Sequence, residues 1–338
     1  MEDVRRTALR PPRPILADLL APAAPGREGG GERRAASAPL RGTLGAPVVA
    51  RERRRPLFHP KRGWIRRFER AVSNLLGRAV YPRVPGISRP YGRQLARSLT
   101  LGEARIAIPD LPHSFEDTRI LLISDPHAGP FVTPSRMEET FERLLSTEPD
   151  LILLAGDLTT SSLGEFERHR EAFRRLRAPL GVFAVLGNHD HYTGAAAELS
   201  AMLERSGIGV LHNRSVRLRR GACGLSLAGV DDLLRGSPDL DAALADTEPP
   251  VVLVSHNPDL FFEALRRGVA LMLSGHTHGG QIRLPGLPVL VRQSRYRLDE
   301  GRYRAGRTEL VVSRGLGAVG LPWRVACPPE ALLLQLVR

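Results

Sequence analysis

Nine residues in five short strings have the types that hold metal ions or move protons. They are Asp125 and His127 in "DPHAG", Asp157 in "GDLTT", Asn188, His189 and Asp190 in "GNHDHY", His256 in "HNPD", and His276 and His278 in "GHTHGG". Each alone is weak evidence. A lone Asp or His is more often structural, and an Asn after a strand is a common turn residue. Together they form a mixed set of imidazole and oxygen donors without thiolate. Such a set suits Mn, Fe or Zn and argues against a structural cysteine site. Seven candidate ligands, Asp125, His127, Asp157, Asn188, His256, His276 and His278, are too many for one tetrahedral ion. They suit two divalent metal ions roughly 3.5–4 Å apart, bridged by one carboxylate and a water. Two cations beside one water lower its pKa, make hydroxide near neutral pH, and stabilise phosphate oxygens during in-line displacement.

The elements that must position these residues are visible as apolar runs. "ILLIS" at 120–124 precedes Asp125, "LILLA" at 151–155 precedes Asp157, and "VFAVL" at 182–186 precedes Asn188. "VVLVS" at 251–255 runs into His256, and "LMLS" at 271–274 into His276. Continuous runs of this length predict strands buried on both faces of an α/β core. Helical patterns fill 135–147, 162–177 and 194–206, and "ARIAIP" from Ala104 reads as a further strand. Sites in open α/β sheets form at the carboxyl ends of strands, and glycines there let backbone approach closely. Farther on, 296–315 predicts a hairpin turning at Asp299–Gly301, and "EALLLQLV" at 330–337 a closing strand. No internal repeat is visible.

The net charge of +13 is unevenly placed. Residues 1–100 carry 22 Lys+Arg against 7 Asp+Glu, whereas residues 101–338 carry 27 against 29. The first 60 residues are rich in Pro, Ala, Gly and Arg without a sustained period, and predict disorder. Residues 61–100 predict an amphipathic basic helix and a linker. In the helix, 63–81, Trp64, Ile65, Phe68, Val72, Leu75 and Leu76 recur along one face, and Arg66, Arg67, Arg70 and Arg78 fill the remainder. It reads either as docked on the domain or as lying on an anionic membrane surface. The folded domain is expected over 101–338. Two distant cysteines, Cys223 and Cys327, make no disulfide framework and imply a reducing compartment. No apolar run is long enough for a transmembrane helix, and "PILADLLAPAA" is too short and broken for a signal peptide. The expected location is cytoplasmic, with peripheral attachment to the inner face of the membrane. Nucleic acid is a poor partner, because the arginines sit among Pro and Gly without interleaved aromatics.

The order D-x-H, GD, GNHD, H, GHTH resembles the calcineurin-like metallophosphoesterase superfamily over about residues 118–338. The resemblance implies a four-layer αββα sandwich with a dimetal site at the carboxyl ends of the strands. It implies that Asp125, His127 and His278 hold one metal and Asn188, His256 and His276 the other, with Asp157 bridging. His189 would contact the phosphoryl oxygen and protonate the leaving group, and Asp190 would either orient it or pack the turn. "AGVDD", "SHNPDLF", "GHTHGGQI" and "SRGLGAVGLPWRVACPPE" are similar to a bacterial branch of membrane-associated phosphoesterases that includes a UDP-2,3-diacylglucosamine pyrophosphatase of lipid A synthesis. The better-known pyrophosphatase of that pathway carries Arg where this chain has His189. The expected substrate is therefore a phosphodiester or pyrophosphate, extending to a lipid-linked one. The alternatives are a soluble nucleotide or nucleic-acid phosphodiesterase, and a binding scaffold without catalysis. Intact ligands and His189 count against the scaffold.

Overall fold

The structure, a computed structural model, describes residues 39–52, 80–284, 289 and 292–338. All of these fall in one compact unit, Ala36–Arg338. Its strands are β1 (Leu40–Thr43), β2 (Val48–Val49), β3 (Thr100–Ala107), β4 (Arg119–Ile123), β5 (Leu151–Ala155), β6 (Val182–Val185) and β7 (Gly209–Val210). They continue with β8 (Arg214–Arg220), β9 (Cys223–Gly229), β10 (Val251–Val254), β11 (Leu271–Ser274), β12 (Gly301–Ala305), β13 (Thr308–Val312) and β14 (Glu330–Val337). They form two sheets, in the orders β1-β3-β14-β4-β5-β6-β7 and β2-β12-β13-β11-β10-β9-β8.

Side-chain alternation turns these sheets into four layers. Ile120 and Leu122 of β4 and Leu151 and Leu153 of β5 pack with Val252 and Val254 of β10 and Leu271 and Leu273 of β11, between the sheets. Their neighbours Leu121, Ile123, Ile152 and Leu154 face the other way, against Met137, Phe141, Phe166 and Phe173 of the helices Pro134–Leu145 and Leu163–Arg174. On the far side, Val251, Leu253 and Met272 meet Phe261, Phe262 and Ala264 of the helix Phe261–Arg266. Successive residues of a strand point to opposite faces, so a run apolar at every position is one buried on both sides. The four-layer αββα sandwich follows from that.

The helices begin where local chemistry predicts. Thr133 caps Pro134–Leu145 by accepting from the Arg136 N–H at 3.3 Å, with Pro134 at the first helical position. Ser162 and Glu165 form a capping box at the start of Leu163–Arg174.

Three regions differ from the sequence reading. Within the stretch read as disordered, β1 pairs with β3 in parallel and β2 with β12. Leu44 tucks over Gly102, where a Cβ would lie 2.6 Å from the Leu44 Cδ1. The core also reaches N-terminal of residue 101, since the helix Ser88–Ser98 buries Tyr91 and Leu95. The hairpin turns at Gly306–Arg307, between Ala305 and its partner Thr308, and not at Asp299–Gly301. Gly301 begins β12 instead. The helix read over 63–81 lies outside the described residues except for Val80 and Tyr81.

Candidate metal centre

β4, β5 and β6 are parallel neighbours, as are β9, β10, β11 and β13. Their carboxyl ends therefore open on one side in each sheet. The loops after them are tied together: the Asp125 N–H donates to the Gly156 carbonyl at 3.0 Å and the Gly275 N–H to the His256 carbonyl at 3.0 Å. The Leu316 N–H, beyond β13, donates across to the Ser124 carbonyl at 2.8 Å. Asp125, His127, Asp157, His276 and His278 all hold left-handed backbone, with φ from 44° to 72°. Such conformations cost a non-glycine residue about 1–3 kcal/mol and collect at functional sites. The glycines beside them are bare because ligands occupy the space. A Cβ on Gly187 would lie 2.3 Å from Asp157 Oδ1, and one on Gly275 would lie 2.4 Å from Asp125 Oδ2.

All seven ligand-type residues are buried, none more than 6% exposed. Asp125, His127, Asp157 and His278 form one group, and Asp157, His256 and His276 a second, with donor atoms within 4.8 Å of one another in each. Asp157 belongs to both. Its Oδ2 lies 3.3 Å from His256 Nε2 and 3.7 Å from His127 Nε2. His127 Nε2 is 3.1 Å from His278 Nε2, and His276 Nδ1 is 3.2 Å from His256 Nε2. Asn188 Oδ1 is buried without a hydrogen-bond partner among the described residues.

These contacts fit cations. His256 Nδ1 donates to the Ala155 carbonyl at 2.7 Å, because a carbonyl can only accept. In the neutral ring Nε2 is then an acceptor, yet it faces the Asp157 carboxylate. Two acceptors so close need a proton or a metal between them. The electrostatics carry the same message. Burial opposes the charge of both groups, yet the Asp157 carboxylate raises His256 well above its ordinary range, and His256 and His189 hold Asp157 well below its own. Burial lowers His127 and His276 to about 3, which keeps these imidazoles neutral and able to ligate. Burial pushes Asp125 up to about 6. The orphaned Asn188 oxygen supplies a further donor.

His189 differs from these seven residues in being half-buried. Its Nδ1 donates to the Thr160 carbonyl at 2.7 Å, Nε2 has no hydrogen bond among the described residues, and its ring stands edge-on to His127 with centroids 4.9 Å apart. Asp190 does not orient this ring. Its carboxylate accepts from the N–H groups of Gly187, Leu158 and Thr159 at 2.9, 3.1 and 2.9 Å, so it packs the turn. The Thr160 carbonyl has the orienting place instead. Two neighbours of the cluster had no individual signal in the sequence. Ser124 donates to Asp125 Oδ2, and the buried Arg324 donates to His278 Nδ1 at 3.1 Å, so His278 turns Nε2 to the cluster. Arg324 sits 46 residues from His278, and no periodicity links the two.

Residues 118–280 match the model of the calcineurin-like phosphoesterase family. An uncharacterized metallophosphoesterase of Bacillus subtilis, YkuE, is 32% identical over 234 residues, covering 67% of this chain and 81% of that one. A transmembrane protein with a metallophosphoesterase domain from Danio rerio is 32% identical over 246 residues, covering 68% of this chain and 55% of that one. The solved structure of TT1561 from Thermus thermophilus aligns with a TM-score of 0.38 at 16% identity, covering 59% of this chain and 91% of that one. With its strand-end strings in family order and its donors gathered in two groups, the chain belongs to the calcineurin-like metallophosphoesterases and is a phosphoesterase hydrolase.

Proposed function

We propose that the chain hydrolyses phosphodiester or pyrophosphate bonds at a dimetal centre. Asp125, His127 and His278 would hold one ion, Asn188, His256 and His276 the other, and Asp157 both. The observation that carries this reading is the membership of Asp157 in both donor groups. Two divalent ions held there, of Mn, Fe or Zn type by the donors, would supply Lewis acidity and a hydroxide nucleophile. The protein's own part is then clear. The seven buried donors would fix the charge, and the half-buried His189, its Nδ1 held by the Thr160 carbonyl, would offer Nε2 to the leaving oxygen.

A lipid-linked substrate and peripheral membrane attachment extend the same proposal. Their support is the basic amphipathic sequence at 63–81. Among the described residues no helix is long and apolar enough to cross a membrane.

The test is to strip the protein, restore Mn, Fe or Zn singly, and measure bound metal and turnover together. Bis-p-nitrophenyl phosphate, cyclic nucleotides and UDP-diacylglucosamine form the substrate panel. Two ions per chain with hydrolysis of at least one ester is the expected result. A single bound ion at full activity, or two ions with no turnover of any ester, would overturn the proposal. For the membrane extension, flotation with anionic liposomes should weaken as salt rises, through screening over about 8–10 Å. No flotation at any salt would remove it.

A further inference from the structure

We propose that Arg235 and Tyr192 form a subsite beside His189 for a second phosphoryl group, so that the preferred substrate is a diphosphate-bridged ester. This rests on the reading above that His189 faces the leaving oxygen.

Tyr192 ends the short helix Asn188–Tyr192, one turn beyond His189. The two rings stand nearly perpendicular with centroids 5.1 Å apart. The Arg235 guanidinium also lies over the Tyr192 ring, its Cζ 5.2 Å from the centroid. The lane from His127 through His189 and Tyr192 to Arg235 thus runs from the buried donors to the exposed rim. Arg235 is exposed, and its one side-chain hydrogen bond among the described residues runs from Nε to the Tyr192 hydroxyl at 3.4 Å. With Nε turned to the Tyr192 hydroxyl, the terminal N–H groups of the guanidinium are left for an anion. A planar guanidinium can make two parallel bonds to a phosphate.

The arginine is also held in place. Just beyond β9 come Asp231 and Asp232, both nearly fully buried. Asp232 Oδ2 accepts from the N–H groups of Leu234 and Arg235 at 2.8 and 2.7 Å. Asp231 Oδ2 accepts from the Ser237 N–H at 2.6 Å, and its Oδ1 lies 2.7 Å from His191 Nε2. His191 belongs to the same short helix as His189 and Tyr192. Two buried carboxylates therefore pin the loop at 231–237 and tie it to the helix carrying the aromatic lane. The residue so positioned is a cation facing solvent at the mouth of a phosphoesterase site. Its backbone is fixed before binding, so less ordering entropy is lost when an anion arrives.

The chemistry gives this place a purpose. Water oxygen bonds to the attacked phosphorus, and the bond from that phosphorus to the bridging oxygen breaks. The bridging oxygen keeps the electron pair and receives its proton through His189. In a diphosphate-bridged ester the leaving group is a phosphate monoester, whose charge rises as the bond breaks. On the His189 side of the site, Arg235 is placed to bind it.

The experiment uses the full chain with its metals, as parent, Arg235→Ala and Arg235→Lys. UDP-glucose serves as the diphosphate-bridged ester and bis-p-nitrophenyl phosphate as the ester with one phosphorus. Calorimetry adds the binding of inorganic pyrophosphate and of inorganic phosphate. Losing a charge-assisted pair should raise KM for UDP-glucose and Kd for pyrophosphate by about tenfold or more. The changes for bis-p-nitrophenyl phosphate and for phosphate should be several times smaller, metal content should match the parent, and lysine should recover part of the loss. Equal changes for pyrophosphate and phosphate, or no change for either, would overturn the subsite. If the parent hydrolyses neither ester, the hydrolytic reading falls, while the two binding constants still decide the role of Arg235.

Discussion

The first sheet brings to the cluster both carboxylates, His127, the asparagine and His189, on the turns after β4, β5 and β6. The second sheet brings three imidazoles, after β10 and β11. Neither set is complete. The group around Asp125 needs His278 from the second sheet, and the group around His256 needs Asp157 from the first. Both carboxylates sit on one sheet and three of the four imidazoles in the two groups on the other, so packing the two sheets together assembles the site. Uncompensated carboxylates at this depth would be costly. The apolar face between the sheets and the polar cluster at its end are therefore parts of one design.

The most damaging way to break this division is to weaken the one residue that serves both groups. Asp157→Asn keeps the shape and removes the shared charge. On the proposed dimetal reading it should lose at least one bound ion and nearly all hydrolysis, a loss on the order of 10³-fold or more. Metal analysis and turnover on the same sample check this. Two ions and parental turnover after the change would show that Asp157 is not shared.

His189 tests the other half of the first sheet's contribution, the part that is not a ligand. His189→Ala should leave both ions in place and lower kcat by roughly 10²–10⁴-fold if the ring acts as general acid. The loss should shrink when the leaving group is p-nitrophenolate, which needs little protonation. Equal losses for good and poor leaving groups would instead assign the ring to holding the phosphoryl oxygen.

The same contrast shows what could be read from the chain. All five apolar runs are strands ending at donor residues, because burial on both faces leaves an unbroken apolar signal. β14 matches its reading at 330–337. β1 and β2 had no such signal. They are four and two residues long and exposed, and their pairing is made by backbone, which composition does not record. The hairpin turn was misplaced because Asp299–Gly301 has turn residues, whereas register places the reversal at Gly306–Arg307. The donors could be recognised from their types and flanking glycines. The groups that orient them could not: the Thr160 carbonyl is backbone, and Asp231 meets His191 across 40 residues.

That last pair is the smallest test, and it concerns a carboxylate of the second sheet that does not join the cluster. Asp231 follows β9 and reaches the helix after β6, so it ties the sheets without a metal. Burial opposes its charge, but the His191 ring and the Ser237 and Asp232 N–H groups hold its carboxyl down to about 2, from an ordinary 3.8. A depressed carboxyl stabilises the fold above its unfolded value and loses that contribution as pH falls from about 4 towards 2. His191 shifts the other way, raised above 6.5 by its bond to Asp231. Its contribution is full below about 6.5 and is lost as pH rises through the raised value. The two windows overlap between about pH 4 and 6.5. Asp231→Asn should therefore cost roughly 1–2 kcal/mol there, more than an exposed pair and less than a fully buried one. The cost should fall away on both sides of that window. Urea unfolding of parent and variant near pH 3, 5 and 8 measures the difference. A penalty of the same size at all three would mean that Asp231 acts through its backbone hydrogen bonds alone, and that the charged tie between the sheets contributes nothing.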